Sequence, residues 1–348
     1  RQADDLPDRA GRPVHRNGKR SRMTALSMSD IRQSPDEIMA ADLTLKPKEE
    51  AYAVIIADLL AAEAAMPVAA PTDRTRASIG TIKTLLGKVY LTRGEWNKAE
   101  LKLKEVIDQK HYSLVGNYRT LFSTGNNNTA ESIFEIQFVT GRSLGNNFSA
   151  LFTPAITSMA IFPNNLQGSG RILPTLDLMN AYESGDTRKA VSVSDSVRLI
   201  NGSKAYNRYG LKFVDFTTTA LSDGTVTFLV LRYADVLLMY AEALNEQGKP
   251  SDAVTAVAPI RTRAGLGALP GSNQAAVRLS LERERRIELV YEGHRWFDLV
   301  RTNRATAVMN AHYAAQNLSF KVDAFEYIMP IPQNEIDLNP ALKQNPGY

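Results

Sequence analysis

The side chains best placed for chemistry lie in the segment 283–301. It contains seven ionisable residues that could act together: Arg285, Arg286, Glu288, Glu292, His294, Arg295 and Asp298. Glu288, Glu292 and Arg295 follow one another at intervals of four and three residues, which on a helix brings them to one face. Such a face could hold an acid and base pair, or a metal site built from the histidine and the aspartate.

A structural interpretation of this segment is stronger. Residues of opposite charge three and four positions apart also tie a helix to its neighbours, while apolar residues between them supply packing. The apolar residues here are Ile287, Leu289, Val290, Trp296, Phe297, Leu299 and Val300. We therefore interpret 283–301 as one helix whose charges form an ion-pair network within a scaffold; a partner interface and catalysis are the alternatives.

Other signatures of catalysis are weak. The glycines of segment 261–267 follow a predicted helix, whereas a dinucleotide-binding loop follows a strand, so we expect a helix stop there. The chain has no cysteine and no Gly-x-Ser-x-Gly motif. Its four histidines share no motif: His15, His111, His294 and His312. We predict that the chain is not an enzyme and has no catalytic residue, no metal site and no cofactor.

Composition restricts the class of protein. An apolar fraction of 44% in 348 residues is enough for a globular core. The formal charge is +4, and because the first 22 residues carry all of this excess, the remainder is neutral. A neutral body argues against nucleic acid as a partner. The most apolar stretch, 51–65, is interrupted by Asp58 and Glu63, and it is too short to span a membrane.

Residues 1–47 differ from the rest of the chain. They are polar, rich in arginine and broken by prolines, without helical or strand periodicity. We expect this segment to be disordered or of foreign origin. A basic arm that contacts anionic lipid is the alternative.

Two segments share the pattern of a tetratricopeptide repeat, a pair of helices joined by a short turn. In the first, Gly87, Gly94 and Ala99 occupy the positions of small residues that let two helices approach. Aligning Gly94 with Gly248 places Ala253 on Ala99, so the second segment has the same design. The patterns predict one helix and two helical hairpins, over 49–66, 80–110 and 234–260.

The middle of the chain has a different character. Segment 133–138 alternates apolar and polar residues and predicts a strand. Asp223 and Gly224 predict a turn that leads into a second extended segment from residue 225. Residues 139–173 are rich in Gly, Asn, Ser and Pro, and a stretch of this length without regular structure is usually functional or disordered.

The irregular stretch and the segment after it supply the candidate binding residues. Aromatic rings can cover the C–H groups of a sugar, while amides both donate and accept hydrogen bonds from hydroxyls. The candidate ligand-binding residues are Asn147, Phe148, Phe152, Phe162, Asn165, Tyr206 and Tyr209. In the alternative interpretation the phenylalanines anchor the loop on the core. We assign Trp96 and Trp296 to helix packing.

Several blocks in the last third carry a family resemblance. The blocks, in chain order, are Arg232–Glu246, Arg283–Arg301, Ile331–Pro340 and Gln344–Tyr348, with Gly185-Asp186-x-Arg188 before them as a helix end with a local salt bridge. Together they resemble the SusD/RagB family, surface lipoproteins that hand nutrients to a TonB-dependent outer-membrane transporter in Bacteroidota. The resemblance extends over residues 49–348.

The resemblance implies a fold and a function. The fold is mostly α: a tetratricopeptide-like helical-repeat scaffold with long irregular insertions and a few short strands. We expect four parts: the unmatched segment 1–47, a first helical-repeat part 48–120, a loop-rich ligand-facing part 121–230, and a second helical-repeat part with the family signature, 231–348.

The implied function is that of a cell-surface subunit of a SusCD-type nutrient uptake system, which captures oligosaccharides or polysaccharides for a SusC-like TonB-dependent transporter. The implied location is the surface of the outer membrane. Membrane contact would come only through a lipid anchor, whose cysteine and signal peptide are missing from this sequence, so we expect an N-terminal truncation. The alternatives are a peptide-capturing RagB-like subunit and a helical-repeat adaptor for protein partners.

Overall fold

A computed structural model describes residues 44–142, 144–155, 161–162, 166–199 and 201–348. The prediction for segment 1–47 therefore lies almost wholly outside the described residues. Within the described ranges, no helix combines the length and the apolar character needed to cross a membrane. The chain divides into two units, one formed by residues 1–64 with 331–344 and the other by 65–330 with 345–348.

The described part of the first unit contains two helices, α1 (Lys48–Ala65) and α12 (Gln333–Leu338). Pro67 follows α1, in accord with the predicted helix over 49–66. Near α12, the side-chain amide of Gln344 donates to the carbonyl oxygen of Ile331 and accepts from its N–H, at 2.9 and 2.8 Å. This pairing joins the two ends of the segment that contains α12.

The second unit contains the remaining regular elements. Its α-helices are α2 (Ile79–Thr92), α3 (Trp96–Asp108), α4 (Phe148–Phe152), α5 (Leu176–Ala181), α6 (Lys189–Ser192), α7 (Tyr233–Glu246), α8 (Pro250–Arg263), α9 (Gln274–Glu288), α10 (Arg295–Arg301) and α11 (Ala305–Ala315). Its strands are β1 (Ser132–Ile136), β2 (Val193–Arg198), β3 (Lys204–Gly210) and β4 (Phe228–Arg232). Short 3₁₀ turns cover Tyr118–Phe122 and Ala324–Tyr327.

Both predicted helical hairpins are confirmed. Helix α2 pairs with α3 and α7 with α8, while α3 also packs on α7, so that the two hairpins stack although they are far apart in sequence. Gly94 and Gly248 occupy the two turns with φ of 72° and 76°, a left-handed conformation that glycine adopts at no steric cost. Ala99 and Ala253 are fully buried. Stacking is required because each pair alone leaves an apolar face uncovered.

The strands form two small antiparallel pairs, β1 with β4 and β2 with β3. The predicted strand over 133–138 is found at Ser132–Ile136. The second extended segment begins at Phe228 and not at residue 225. The residues before it pair with Asn146 instead of β1: Gly224 forms an isolated bridge with Asn146, and the side-chain amide of Asn146 donates to the carbonyl of Val226 at 3.0 Å.

The structure corrects the interpretation of 283–301 as one helix. Helix α9 ends at Glu288 and α10 begins at Arg295. Between them Tyr291 and Gly293 have φ of 66° and 84°, and a right-handed helix cannot continue through such residues. Phe297, expected to pack inside the scaffold, is 71% exposed, because it lies on the face of α10 that points away from the core.

The predicted helix stop after Arg263 is confirmed. Gly265 has φ of 76°, its N–H donates to the carbonyl of Thr262, and the N–H of Leu266 donates to that of Arg261. These two bonds satisfy carbonyl groups that the end of α8 leaves open. Segment 261–267 is therefore a helix terminus.

Candidate functional site

The irregular stretch is organised around helix α4. Phe148 and Phe152, at its two ends, contact the ring of Phe213 at centroid distances of 5.4 and 6.0 Å. Phe148 also contacts Phe138 and Phe228 at 5.7 and 5.8 Å. Aromatic pairs at such distances stabilise beyond the burial of their area. The predicted anchoring of the loop by phenylalanines is thus present in the structure.

Hydrogen bonds hold α4 from both sides. The backbone of 169–172 donates to the carbonyls of Ala150, Leu151 and Thr153, and the N–H of Asp215 donates to Ser149 Oγ at 2.9 Å. A side chain at Gly168 would overlap Thr153, so the absence of a Cβ allows this close approach. The helix is a fixed platform rather than a loose loop.

The seven candidate residues are placed in three ways. Asn165 lies outside the described residues. Phe152, Phe162 and Tyr209 are buried, with 5%, 5% and 7% of their surface exposed, and the two phenylalanines belong to one apolar cluster. Asn147 is exposed, Phe148 is half-buried, and Tyr206 is 84% exposed. Neighbouring side chains cover the buried rings and leave them little surface for direct contact with a ligand.

The β2–β3 hairpin presents Tyr206. Ser196 lies directly opposite Tyr206, Ser194 opposite Tyr209, and Arg198 opposite Lys204. Residues directly opposite one another in an antiparallel pair point to the same face, so both tyrosines share a face with Arg198 and Lys204. Tyr209 lies at the inner end of the hairpin. Burial raises the pKa of its hydroxyl, and the hydrogen bond with Ser194 offsets only part of this increase.

The inner end of the hairpin approaches the α4 platform. A Cβ at Gly210, the last residue of β3, would lie 3.2 Å from Phe152 and 3.0 Å from the ring of Tyr291. The rings of Phe152 and Tyr291 are 4.8 Å apart. Glycine therefore lets the strand end pack closely beside the aromatic cluster.

The ionisable residues of 283–301 form a buried ion-pair network, as the structural interpretation predicted. Arg232 contacts Glu131, Glu288 and Glu292 at 2.8, 2.7 and 2.7 Å. Arg188 contacts Glu288 at 2.9 Å and Lys212 contacts Glu292 at 2.5 Å. The predicted local salt bridge of Arg188 with Asp186 is present at 2.8 Å.

This network holds its carboxylates ionised. Burial alone raises the pKa of Glu288, but the guanidiniums of Arg263, Arg232 and Arg188 outweigh it and hold that pKa well below its usual range. For Glu292, burial is likewise outweighed by Arg232 and Lys212, and the pKa is lowered. A carboxylate held in this form is a poor proton donor. The network therefore serves to join distant segments of the scaffold.

His294 also belongs to the scaffold. Its ring is buried, and its Nδ1 lies 3.2 Å from Lys88 Nζ, which donates to it. Burial lowers the pKa of His294 to about 4; Asp235 opposes this shift, and Lys88 and Arg285 add to it. Among the described residues no group of three histidine or acidic side chains is placed to hold a metal.

The second unit has two grooves that the sequence did not predict. One encloses about 310 Å³ beside Trp96, and the other about 420 Å³ beside Trp296. Arg285, Arg295 and Asp298 line both grooves. Arg285 lies on α9, whereas Arg295 and Asp298 lie on α10, after the turn at Gly293. Because the groove depends on how the chain folds back at this turn, the spacing of the residues in the sequence does not indicate it.

The profile of the SusD family matches residues 185–348. That match covers the hairpin, the α7–α8 pair and, apart from Glu131, the residues named in the ion-pair network. Over these residues the chain is similar to the SusD/RagB family. Its mostly helical, tetratricopeptide-like fold is the one that the resemblance implied.

Curated SusD-like proteins are similar to most of the chain. SusD-like protein P2 of Formosa agariphila is 29% identical over 338 residues, which cover 87% of this chain and 66% of that protein. A SusD-like protein of Bacteroides ovatus is 23% identical, with 87% and 67% covered. The chain thus spans about two thirds of the length of the curated relatives that it matches.

Solved structures agree with this SusD assignment. A SusD superfamily protein from Parabacteroides distasonis superposes with a TM-score of 0.74 at 27% identity, covering 87% of this chain and 70% of that one. A laminarin-binding SusD-like protein superposes with a TM-score of 0.73 at 27% identity, covering 91% and 72%.

Proposed function

We propose that this chain is a non-catalytic glycan-binding protein that captures oligosaccharides for nutrient uptake. The observation that carries the proposal is its 27% identity, over 91% of the chain, to a SusD-like protein that binds laminarin. The β-glucan laminarin is therefore the first ligand to test.

The architecture supports a binding role. Glu288 and Glu292, the carboxylates best spaced for acid and base chemistry, are buried and paired with arginine and lysine. Aromatic and amide side chains are instead presented by a fixed platform and a hairpin, where a broad, shallow surface suits a polyhydroxylated chain.

We propose that some of the candidate residues contact the ligand and that the others support them. Tyr206 and Asn147 contact the ligand directly, together with the exposed edge of Phe148. Phe152, Phe162 and Tyr209 support this surface from below, because their rings are buried. A change in a supporting residue would act on binding through the position of α4 or β3.

We further propose that the protein acts at the surface of the outer membrane beside a SusC-like TonB-dependent transporter. This proposal follows from the similarity to the SusD/RagB family. Co-purification of the full-length protein with a transporter encoded beside it tests the partnership independently of ligand binding.

Isothermal titration with laminarin oligosaccharides tests the binding function. Tyr206→Ala should weaken binding about tenfold, since truncation of an aromatic contact residue removes a large share of the binding energy. Phe297→Ala is a matched control, because Phe297 is also an exposed aromatic residue, at 71%, but lies on α10. The control should bind as the unaltered protein does.

A general panel of plant, algal and host glycans, with unrelated peptides, completes the experiment. Binding of peptides without any glycan would contradict the proposal and favour peptide capture. Turnover of a glycan, lost in Glu288→Gln, would contradict the non-catalytic role.

A further inference from the structure

The outer face of the β2–β3 hairpin carries an unfavourable pair of charges. Arg198 and Lys204 lie directly opposite one another in the antiparallel pair, and both are exposed. Like charges in this position repel and destabilise the pairing of two strands. The fold therefore gains nothing from having both cations at this place.

In the described part of the chain, no acidic side chain compensates for the pair. Among the residues that the structure describes, no carboxylate lies within 4 Å of Arg198 or Lys204, whereas Arg188, Arg232 and Arg263 each contact at least two carboxylates. The nearest acidic residue along β2 is Asp195. It is exposed at the irregularity of the hairpin, three residues before Arg198, and forms no ion pair with Arg198 or Lys204.

An aromatic platform stands beside the two cations. Tyr206 follows Lys204 by two residues on the same face and is 84% exposed, so one ring side is open to solvent. Residues two apart on a strand are separated by about 7 Å, so a ligand lying on the ring would also reach Lys204 and Arg198. Arg208, exposed at the irregularity between Ser194 and Ser196, adds a third cation.

We propose that this face, formed by Arg198, Lys204, Tyr206 and Arg208, binds an anionic glycan, one whose sugars carry carboxylate or sulfate groups. The inference rests on the proposed glycan-binding function and adds the charge of the ligand. Tyrosine supplies the surface for a sugar ring, and the cations supply charge-assisted hydrogen bonds to the anionic groups. The ligand provides the negative charge that pairs with Arg198 and Lys204.

An anionic lipid surface is the competing class of ligand, and the geometry favours the glycan. Binding of a lipid headgroup requires only positive charge on the protein. An exposed tyrosine ring beside cations suits a glycan, because a glycan presents both sugar rings and anionic groups. The experiment therefore includes lipid vesicles as a separate arm.

The test compares the binding of one glycan chain in its neutral form and in forms that carry negative charge. Laminarin oligosaccharides and their carboxymethylated or sulfated derivatives are titrated into the protein at low and high salt, with polygalacturonate as a second anionic chain. We expect the charged derivatives to bind at least about tenfold more tightly at low salt and to lose this advantage at high salt, because exposed charges are screened.

Two variants locate the site. Arg198→Gln with Lys204→Gln should weaken binding of the charged derivatives about five- to twentyfold, from two exposed ionic contacts, and should weaken binding of neutral laminarin by no more than about twofold. The matched control is Arg171→Gln with Lys321→Gln, two exposed cations without an ion pair in the described part of the chain. It should leave both affinities unchanged.

A charge reversal separates ligand binding from stability. Arg198→Glu places a carboxylate opposite Lys204, so the melting temperature should rise while binding of the anionic derivatives falls. A structural role for Arg198 would instead lower the melting temperature.

The outcomes distinguish the two proposals. Equal binding of neutral and charged derivatives, unaffected by the double variant, would overturn the anionic specificity and leave glycan binding intact. Binding to vesicles of anionic phospholipid, with no binding of any glycan, would overturn both.

Discussion

Arg232 donates two hydrogen bonds to the carboxylate of Glu292, sixty residues further along the chain, at 2.7 and 2.9 Å. Neither residue is in contact with solvent to any appreciable degree. The pair joins the end of β4 to the turn between α9 and α10. The ion pair therefore stabilises the scaffold. From the sequence pattern alone, Glu292 could also have belonged to an acid and base pair.

Removing this carboxylate should destabilise the protein strongly. Glu292→Ala leaves Arg232 and Lys212 buried with part of their charge unpaired, and we expect a loss of about 3–5 kcal/mol in the free energy of unfolding. Urea denaturation followed by circular dichroism measures it. Glu246→Ala, which removes the partner of the half-exposed Arg278, is the control and should cost less than about 1 kcal/mol. Equal losses in the two variants would contradict the assigned role.

His294 should make the stability depend on pH in a defined window. The folded pKa of about 4 is below the ordinary value of 6.5, so the unfolded chain binds the proton more readily. The contribution of His294 to the free energy of unfolding is fully present above pH 6.5. It decreases by at most about 3 kcal/mol as the pH drops from 6.5 to 4.

In His294→Gln the decrease over this window should largely disappear, which urea unfolding at several pH values can measure. His312→Gln, at a histidine on the accessible part of α11, should keep the decrease of the unaltered protein. A persistent decrease in His294→Gln would show that other groups are responsible.

The close approach of α2 and α3 should not tolerate a side chain at Gly87. A Cβ there would lie 2.6 Å from the buried side chain of Leu103. Gly87→Ala should therefore cost about 1–3 kcal/mol from overpacking, although alanine normally stabilises a helix relative to glycine.

Combining Gly87→Ala with Leu103→Ala tests the mechanism, because the second change removes the atoms that clash. In that background Gly87→Ala should be neutral or stabilising, as a double-mutant cycle measures. Gly116→Ala, at a glycine with no atom within 4 Å of the added carbon, is the control for a harmless substitution.

The turn between α9 and α10 should depend on Gly293. Its φ of 84° lies in the left-handed region, where an L-residue is strained, so Gly293→Ala should cost about 1–2 kcal/mol. Gly267→Ala, at a glycine with open space and no positive φ, should change the free energy of unfolding by less than half as much. A fully tolerated Gly293→Ala would mean that the turn can relax.

Much of the fold could be predicted from the sequence, because its signals are local. Small residues at Gly94, Ala99, Gly248 and Ala253 specify two helical hairpins whatever surrounds them, and the glycine at position 265 ends α8 by its own backbone preference. The charges of 283–301 likewise indicated an ion-pair network, since so many could not be left unpaired in an apolar setting.

Other features depend on partners that are distant in the chain. The helix pattern of 283–301 continues through Gly293, whereas in the structure the chain turns there, with Tyr291 and Gly293 at positive φ and Glu292 paired with Arg232 and Lys212. Phe152 and Tyr206 are both aromatic residues in an irregular region, yet one is 5% exposed and the other 84%. Burial is decided by what packs on a side chain.

The sequence by itself determined the two helical hairpins and which side chains are available for binding, because pairing within a hairpin and residue chemistry follow from neighbours close in the chain. Only the tertiary structure decided which aromatic rings face solvent and which distant charges pair, such as Arg232 with Glu292. Those properties arise when segments far apart in the chain come into contact, and no short-range pattern records such contacts.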